Sequence, residues 1–232
     1  MRIETERRMK KLDYEDLQER VYREIKEMML RGELRANEKL GQEALARRLG
    51  VSRTPLLRAF SKLEKDMFVV SIPRRGVFVK QFSLEELVNI YDIRLRLEPL
   101  GAYEAAQSSN PEAAARLEEL SRAFSEAVSR NDVASIKSAD YALHMEIMRQ
   151  SRNILLVDIL STFNIILISN MKGLQKPAAK SESEHKLLVQ AICSGASEDA
   201  ESVMYDHILE SRNVLRHALE ESAGSDRNEV SA

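Results

Sequence analysis

The chain carries four histidines, His144, His185, His207 and His217, all of them in its second half. Asp140 precedes His144 by four residues, so on a helix the two side chains leave from one face. His185 and His207 fall on two later helical stretches. One carboxylate and three imidazoles converging inside a bundle make an N3O donor set for a divalent cation such as zinc, nickel or manganese. Such a set leaves coordination positions open for water or a ligand. Spacing alone does not establish the site, because Asp-x-x-x-His recurs by chance and most helical histidines are surface or core residues. His217, ten residues beyond His207, points from a different helix face and reads as structural or exposed.

A second chemistry lies in the basic residues of the first eighty positions. Residues 1–80 hold 20 Lys and Arg against 13 Asp and Glu, whereas residues 81–232 hold 15 against 24. The overall net charge of −2 therefore conceals a basic segment followed by an acidic one. Between Gly41 and Lys80 the bias sharpens to nine basic against three acidic residues. Chance clustering on solvated helix faces is the plain explanation; a polyanion partner for the first segment is the functional one.

The elements that must position these residues follow from apolar spacing. Leu17, Val21, Ile25 and Met28 form a helical stripe from Asp16 to Leu30, ended by Arg31-Gly32. A shorter helix fits Gln42–Leu49, with Leu45 and Leu49 inward and Arg47 and Arg48 outward. Gly50-Val51 makes a tight turn, Ser52 is an N-cap and Pro55 sits in the first turn of a third helix. Leu56, Phe60 and Leu63 give that helix its buried side, and Arg53, Thr54, Arg58 and Ser61 its outer face. Residues 68–72 and 77–79 alternate like two strands joined by Pro73-Arg-Arg-Gly76. Three helices and a basic-tipped hairpin make a winged helix-turn-helix. Its third helix suits a DNA major groove, its helix N-terminus suits a phosphate, and Arg74 and Arg75 reach the backbone or the minor groove.

After a joint at 81–83, only helical patterns follow. Helices are expected near 84–108 (N-cap Ser83, with Glu85-Glu86 in the first turn), 111–129, 132–150, 153–172, 178–194 and 198–221. The fold class is thus mainly α: a winged helix-turn-helix over 14–80 and an antiparallel helical bundle over 84–222. Residues 1–13 read as a flexible segment and 223–232 as a disordered tail.

Composition narrows the remaining choices. Over 232 residues, 44% are hydrophobic and 31% charged, enough for a core and for solubility. Eight Gly and five Pro are few for an all-β protein. The single Cys193 excludes an internal disulfide framework and a Cys-rich zinc module. The N-terminus has no apolar signal-like run, and Ile154–Ile168 is interrupted by Asp158, Ser161, Thr162 and Asn164, too polar to span a bilayer. A cytoplasmic address with no membrane partner is expected.

Specific motifs then identify a family. LARRLGVSRTP, the Leu-Glu-Lys-Asp-Met-Phe-Val-Val run and IPRRGVFV closely resemble the DNA-binding domain of GntR-family bacterial transcription regulators over about Leu17 to Lys80. By that resemblance Arg47, Ser52, Arg53, Thr54 and Gly76 fall on DNA-contacting positions. The family usually reads Ser-Arg-Thr-Pro-Val-Arg-Glu-Ala-Leu, whereas this chain has Ser-Arg-Thr-Pro-Leu-Leu-Arg-Ala-Phe. Leu57 therefore stands at a frequent DNA-contacting Arg position and Arg58 where Glu is usual. A neighbour is rotated by ~100° around a helix, so Arg58 is no simple substitute.

In the acidic half, Asp140-Tyr-Ala-Leu-His144, Glu184-His185 and Met204-Tyr-Asp-His207 resemble the C-terminal FCD domain of the FadR subfamily. The resemblance implies that Asp140, His144, His185 and His207 bind a metal. It also implies that Arg94, in Ile90-Tyr-Asp-Ile-Arg94-Leu-Arg-Leu-Glu98, faces an effector pocket, and that two bundles pair in a homodimer. A divalent ion with one carboxylate keeps net positive charge, and Arg94 adds a bidentate clamp, so the expected effector is a small organic acid. The expected function is a sequence-specific transcription regulator, not an enzyme, acting on pseudo-palindromic operator half-sites. Three alternatives remain: a sensor for which the ion is the signal, a metal-dependent enzyme with Glu146 or Glu184 as base, and an architectural DNA binder.

Overall fold

The computed structural model describes residues 14–162, 165–172 and 174–229. The N-terminal domain is built from α1 (Tyr14–Leu30), α2 (Gln42–Leu49), α3 (Arg53–Lys65), β1 (Val69–Ile72) and β2 (Gly76–Val79). Ile25, Leu56, Leu63 and Phe68 expose no surface and form its centre, whereas Leu17, expected in the same stripe, is exposed. Gly50 ends α2 at φ 65°, a left-handed turn that glycine enters without a Cβ penalty. The two strands pair antiparallel with Val69 opposite Val79 and Ile72 opposite Gly76. Lys39 bridges to Phe78 on the outer edge of β2.

The second domain comprises α4 (Leu84–Gln107), α5 (Pro111–Ser129), α6 (Val133–Gln150), α7 (Ile154–Thr162), α8 (Ile165–Lys172), α9 (Ala178–Cys193) and α10 (Ser197–Glu229). Ser83 and Glu86 close a reciprocal capping box at the start of α4. Asn110 accepts from Glu112 and Ala113 at the start of α5, and Asp132 accepts from Ser135 at α6. Helix α10 packs along α4, where Arg212 donates to Asp92 at 2.8 Å. Gly101 brings α4 so near its neighbours that a Cβ there would lie 2.5 Å from the Met148 sulfur and 3.1 Å from Leu156.

The run expected as one helix over 153–172 is described as α7 and α8, on either side of 163–164, and the two segments serve different neighbours. Helix α7 leaves Ile154 and Leu155 in solvent, while Ile165 to Ser169 of α8 are all buried. Leu167 and Ile168 pack into the core of the N-terminal domain, with Phe82, Ile90 and Tyr141 alongside. Phe82, in the joint at 81–83, thus packs at the contact of the two domains. Helix α10 runs to Glu229, past residue 222 where the bundle was expected to end. Residues 1–13 and 230–232 lie outside the described residues.

Candidate metal centre and nucleic-acid interface

Three helices deliver the donor set. Asp140 and His144 come from α6, His185 from α9 and His207 from α10, and all four are buried. Each offers one ligand atom, and these atoms lie within 4.8 Å of one another. Bonds of ~2.1 Å allow two ligands on one ion to stand at most ~4.2 Å apart, so the cage is close to formed. His185 Nε2 is 3.4 Å and His144 Nε2 3.9 Å from Asp140 Oδ1. The three ring centroids are 4.8 to 5.4 Å apart.

The surroundings aim two of the imidazoles. His144 Nδ1 lies 2.5 Å from Glu98 Oε2, and His207 Nδ1 lies 2.7 Å from Glu184 Oε2. A carboxylate accepting from Nδ1 fixes the tautomer that leaves Nε2 with a lone pair for a metal. Glu184 is held in turn by buried Lys176, which also donates to the His207 carbonyl at 2.9 Å. His185 has no such partner. His144 Nε2 and both ring nitrogens of His185 are buried with no hydrogen bond among the described residues. Buried nitrogens left this way are costly, and a cation would satisfy them.

Charge states match. Burial pushes His185 down to about 4, with Asp140 opposing more weakly. Burial, then neighbouring His185 and His144, holds His207 well below the ordinary imidazole value. Burial alone would raise Asp140, but the imidazoles, His144 foremost, outweigh it and keep the carboxyl below its usual range. Near pH 7, then, His185 and His207 are neutral and Asp140 is ionised, the states that ligation requires.

Arg94, expected to face an effector pocket, lies beside the cage, its Nη2 3.5 Å from His144 Nδ1. It is buried, clasps Glu98 with Nε and Nη2, and donates from Nη1 to Ser169 at 2.8 Å. Burial would raise Glu98, but Arg94 and then His144 bring it down to about 2. Lys176 and Ser169 had no part in the sequence reading, where Glu98 stood only within the Arg94 motif and Glu184 only beside His185 and as a candidate base. Glu98 left a usable signal there, four residues after Arg94 and so on the same face of its helix. Glu146 pairs with Arg149 at 3.4 Å and takes no part, and His217 is exposed beside Glu221.

In the N-terminal domain a groove runs between α2, the start of α3 and the hairpin. Arg47, Arg53, Arg74, Arg75 and Gly76 line it together with Lys39, which sequence reasoning missed. Ser52, Thr54, Leu57 and Arg58 are exposed on α3. Ser52 occupies the N-cap position, yet its hydroxyl makes no capping bond. Arg48 is turned away from the groove and pairs with Glu33. At the hairpin tip the Arg75 amide donates to the Ile72 carbonyl at 3.0 Å, closing a turn in which Arg74 takes φ 63°. Such a turn favours glycine at this position.

Comparison with known proteins agrees with both halves. Residues 17–79 match the model of the bacterial regulatory proteins, gntR family, and residues 89–210 match the FCD domain. An uncharacterized HTH-type transcriptional regulator of Agrobacterium vitis is 32% identical over 103 residues, 43% of this chain and 60% of that protein. The HTH-type transcriptional regulator LutR of Bacillus subtilis (strain 168) is 26% identical over 220 residues, 84% of this chain and 99% of LutR. The structure of E. coli McbR/YncC shares the fold with a TM-score of 0.76 at 20% identity, covering 88% of this chain and 98% of that one. No helix among the described residues is long and apolar enough to cross a membrane. The chain belongs to the gntR family of bacterial regulatory proteins and carries an FCD domain: it is a DNA-binding transcription regulator, not an enzyme.

Proposed function

We propose that the chain acts as a homodimer on pseudo-palindromic operator half-sites, and that a small organic acid bound at a metal-containing pocket in the bundle changes its hold on them. The observation that carries this reading is the convergence of Asp140, His144, His185 and His207 on one buried point. A divalent ion held there, zinc, nickel or manganese by its donor set, would supply net positive charge and open positions for an anionic oxygen.

The chain's own residues offer a route outward. Arg94 is bound to Glu98, which holds His144, and to Ser169 on α8. An acid arriving beside the cage competes with Glu98 for the guanidinium. Loosening Ser169 then frees α8, whose Leu167 and Ile168 are embedded in the N-terminal core. The acid is an effector only if its affinity differs between the two arrangements.

On DNA, the α3 N-terminus enters the major groove. Arg53 reads a base, while Arg47, the Ser52 hydroxyl, Thr54 and the first backbone amides of α3 hold phosphate. Arg58 lies further along α3, and exposed Leu57 suits a thymine methyl. Arg74, Arg75 and Gly76 follow the backbone beside the hairpin, and Arg48 adds charge on the flank. Pairing of two copies is supported by exposed apolar side chains: Ile93 and Leu100 on α4, and Leu155 and Ile159 on α7. Sedimentation at the mass of one chain would remove the dimer.

The pocket is tested by a thermal-shift screen of small carboxylates with metal and with chelator. A stabilisation that appears only with metal supports the reading, and no shift with any acid overturns it. Operator release by chelator alone would make the ion itself the signal.

A further inference from the structure

We infer that the joint between the two domains is a second binding site, separate from the histidine cage, for an amphipathic monoanion with a carboxylate head and an aliphatic body. A cavity of about 350 Å³ opens there, at the small end of the ~300–1,000 Å³ usual for ligand pockets, and such pockets favour domain interfaces. Its wall has two halves. Leu34, Phe82 and Ile168 supply apolar surface from the α1–α2 loop, the joint and α8. Arg35, Lys80 and Lys137 supply three cations, from the loop, the end of the wing and α6. No Asp or Glu lines it among the described residues.

The cations sit where a head group would need them. Lys137 is half-buried on α6, and Lys80 lies 4.5 Å from the Phe82 ring centroid, at the seam of the polar and apolar halves. Glu86 pairs with Lys80 at 2.8 Å and leaves two of its three ammonium protons for another acceptor. Arg35 reaches in from the exposed loop. An apolar body would rest against Ile168, on the helix that ties bundle to N-terminal domain. Occupancy would therefore clamp one domain on the other, by a route that needs neither Asp140 nor the imidazoles.

Octanoate is the probe, titrated calorimetrically into the full chain with butyrate and hexanoate beside it. The affinity should rise about fourfold per added methylene, the factor that ~0.8 kcal/mol per buried methylene gives. It should be the same with chelator and with added manganese. Replacing both Arg35→Gln and Lys137→Gln should weaken octanoate about tenfold, and Ala36→Trp, at the exposed rim, should block it without removing a core contact. Octanoate that fails to bind, that requires metal, or that binds both variants as it binds the parent overturns the proposal. Metal dependence would point to the cage; metal independence leaves the cage to its own test.

Discussion

His185 bears the largest unmet demand of any single side chain in the cage. Two buried ring nitrogens without hydrogen bonds cost the metal-free protein on the order of 1–3 kcal/mol each. His185→Leu removes both, so the chelated protein should melt higher than its parent while elemental analysis finds far less than one equivalent of metal. A variant that melts lower and keeps its metal would remove His185 from the site. The same imidazole sets a pH dependence. Its value in the fold, about 4, is below the ordinary 6.5, so the unfolded chain takes up the proton first. Protonation therefore costs no stability above about pH 6.5, and the loss grows as pH falls toward 4. Thermal midpoints of chelated protein should drop across that window, and His185→Leu should drop less. Asp140 and His144 were legible because helical spacing puts i and i+4 on one face. The partners of His207 were not, because Lys176 and Glu184 meet it only through folding of the α8–α9 connection.

At the scale of elements, α8 and the hairpin tip carry the account. Helix α8 was legible as apolar sequence, but its packing on the N-terminal domain was not, since an apolar run does not say which core will bury it. Its burial in the N-terminal domain makes Ser169 a positioning residue. Ser169→Ala should leave metal stoichiometry intact and cut the effect of an acid on operator affinity several-fold; an unchanged effect would break the proposed route. The hairpin was legible from Pro73 to Gly76, including its basic tip. The positive φ of Arg74 was not, because residue type there argues for glycine. A left-handed non-glycine residue costs ~1–2 kcal/mol, roughly offset in a glycine variant by ~1 kcal/mol of extra freedom when unfolded. Arg74→Gly should therefore keep its thermal midpoint and still lose DNA affinity, as read by anisotropy. Unchanged affinity would mean that the tip does not touch DNA.

Across the whole molecule, charge and architecture divide together. Among the described residues, those up to Lys80, in the basic segment, fold as the DNA-reading unit and those beyond it, in the acidic one, as the bundle, a division legible in the amino-acid sequence because its two sides differ in sign. The contact between the units was not legible there: Phe82, Leu167 and Ile168 are ordinary apolar residues whose shared core appears only in three dimensions. In the proposed function, that shared core is what would turn a buried ligand cage into a control on DNA. The most direct test uses a duplex selected from a random library and a carboxylate that stabilises the metal-loaded protein. Operator affinity is measured against acid concentration, with metal and with chelator. The account predicts a change of at least fivefold that needs metal and vanishes in His185→Leu. An affinity that ignores the acid under both conditions would contradict it.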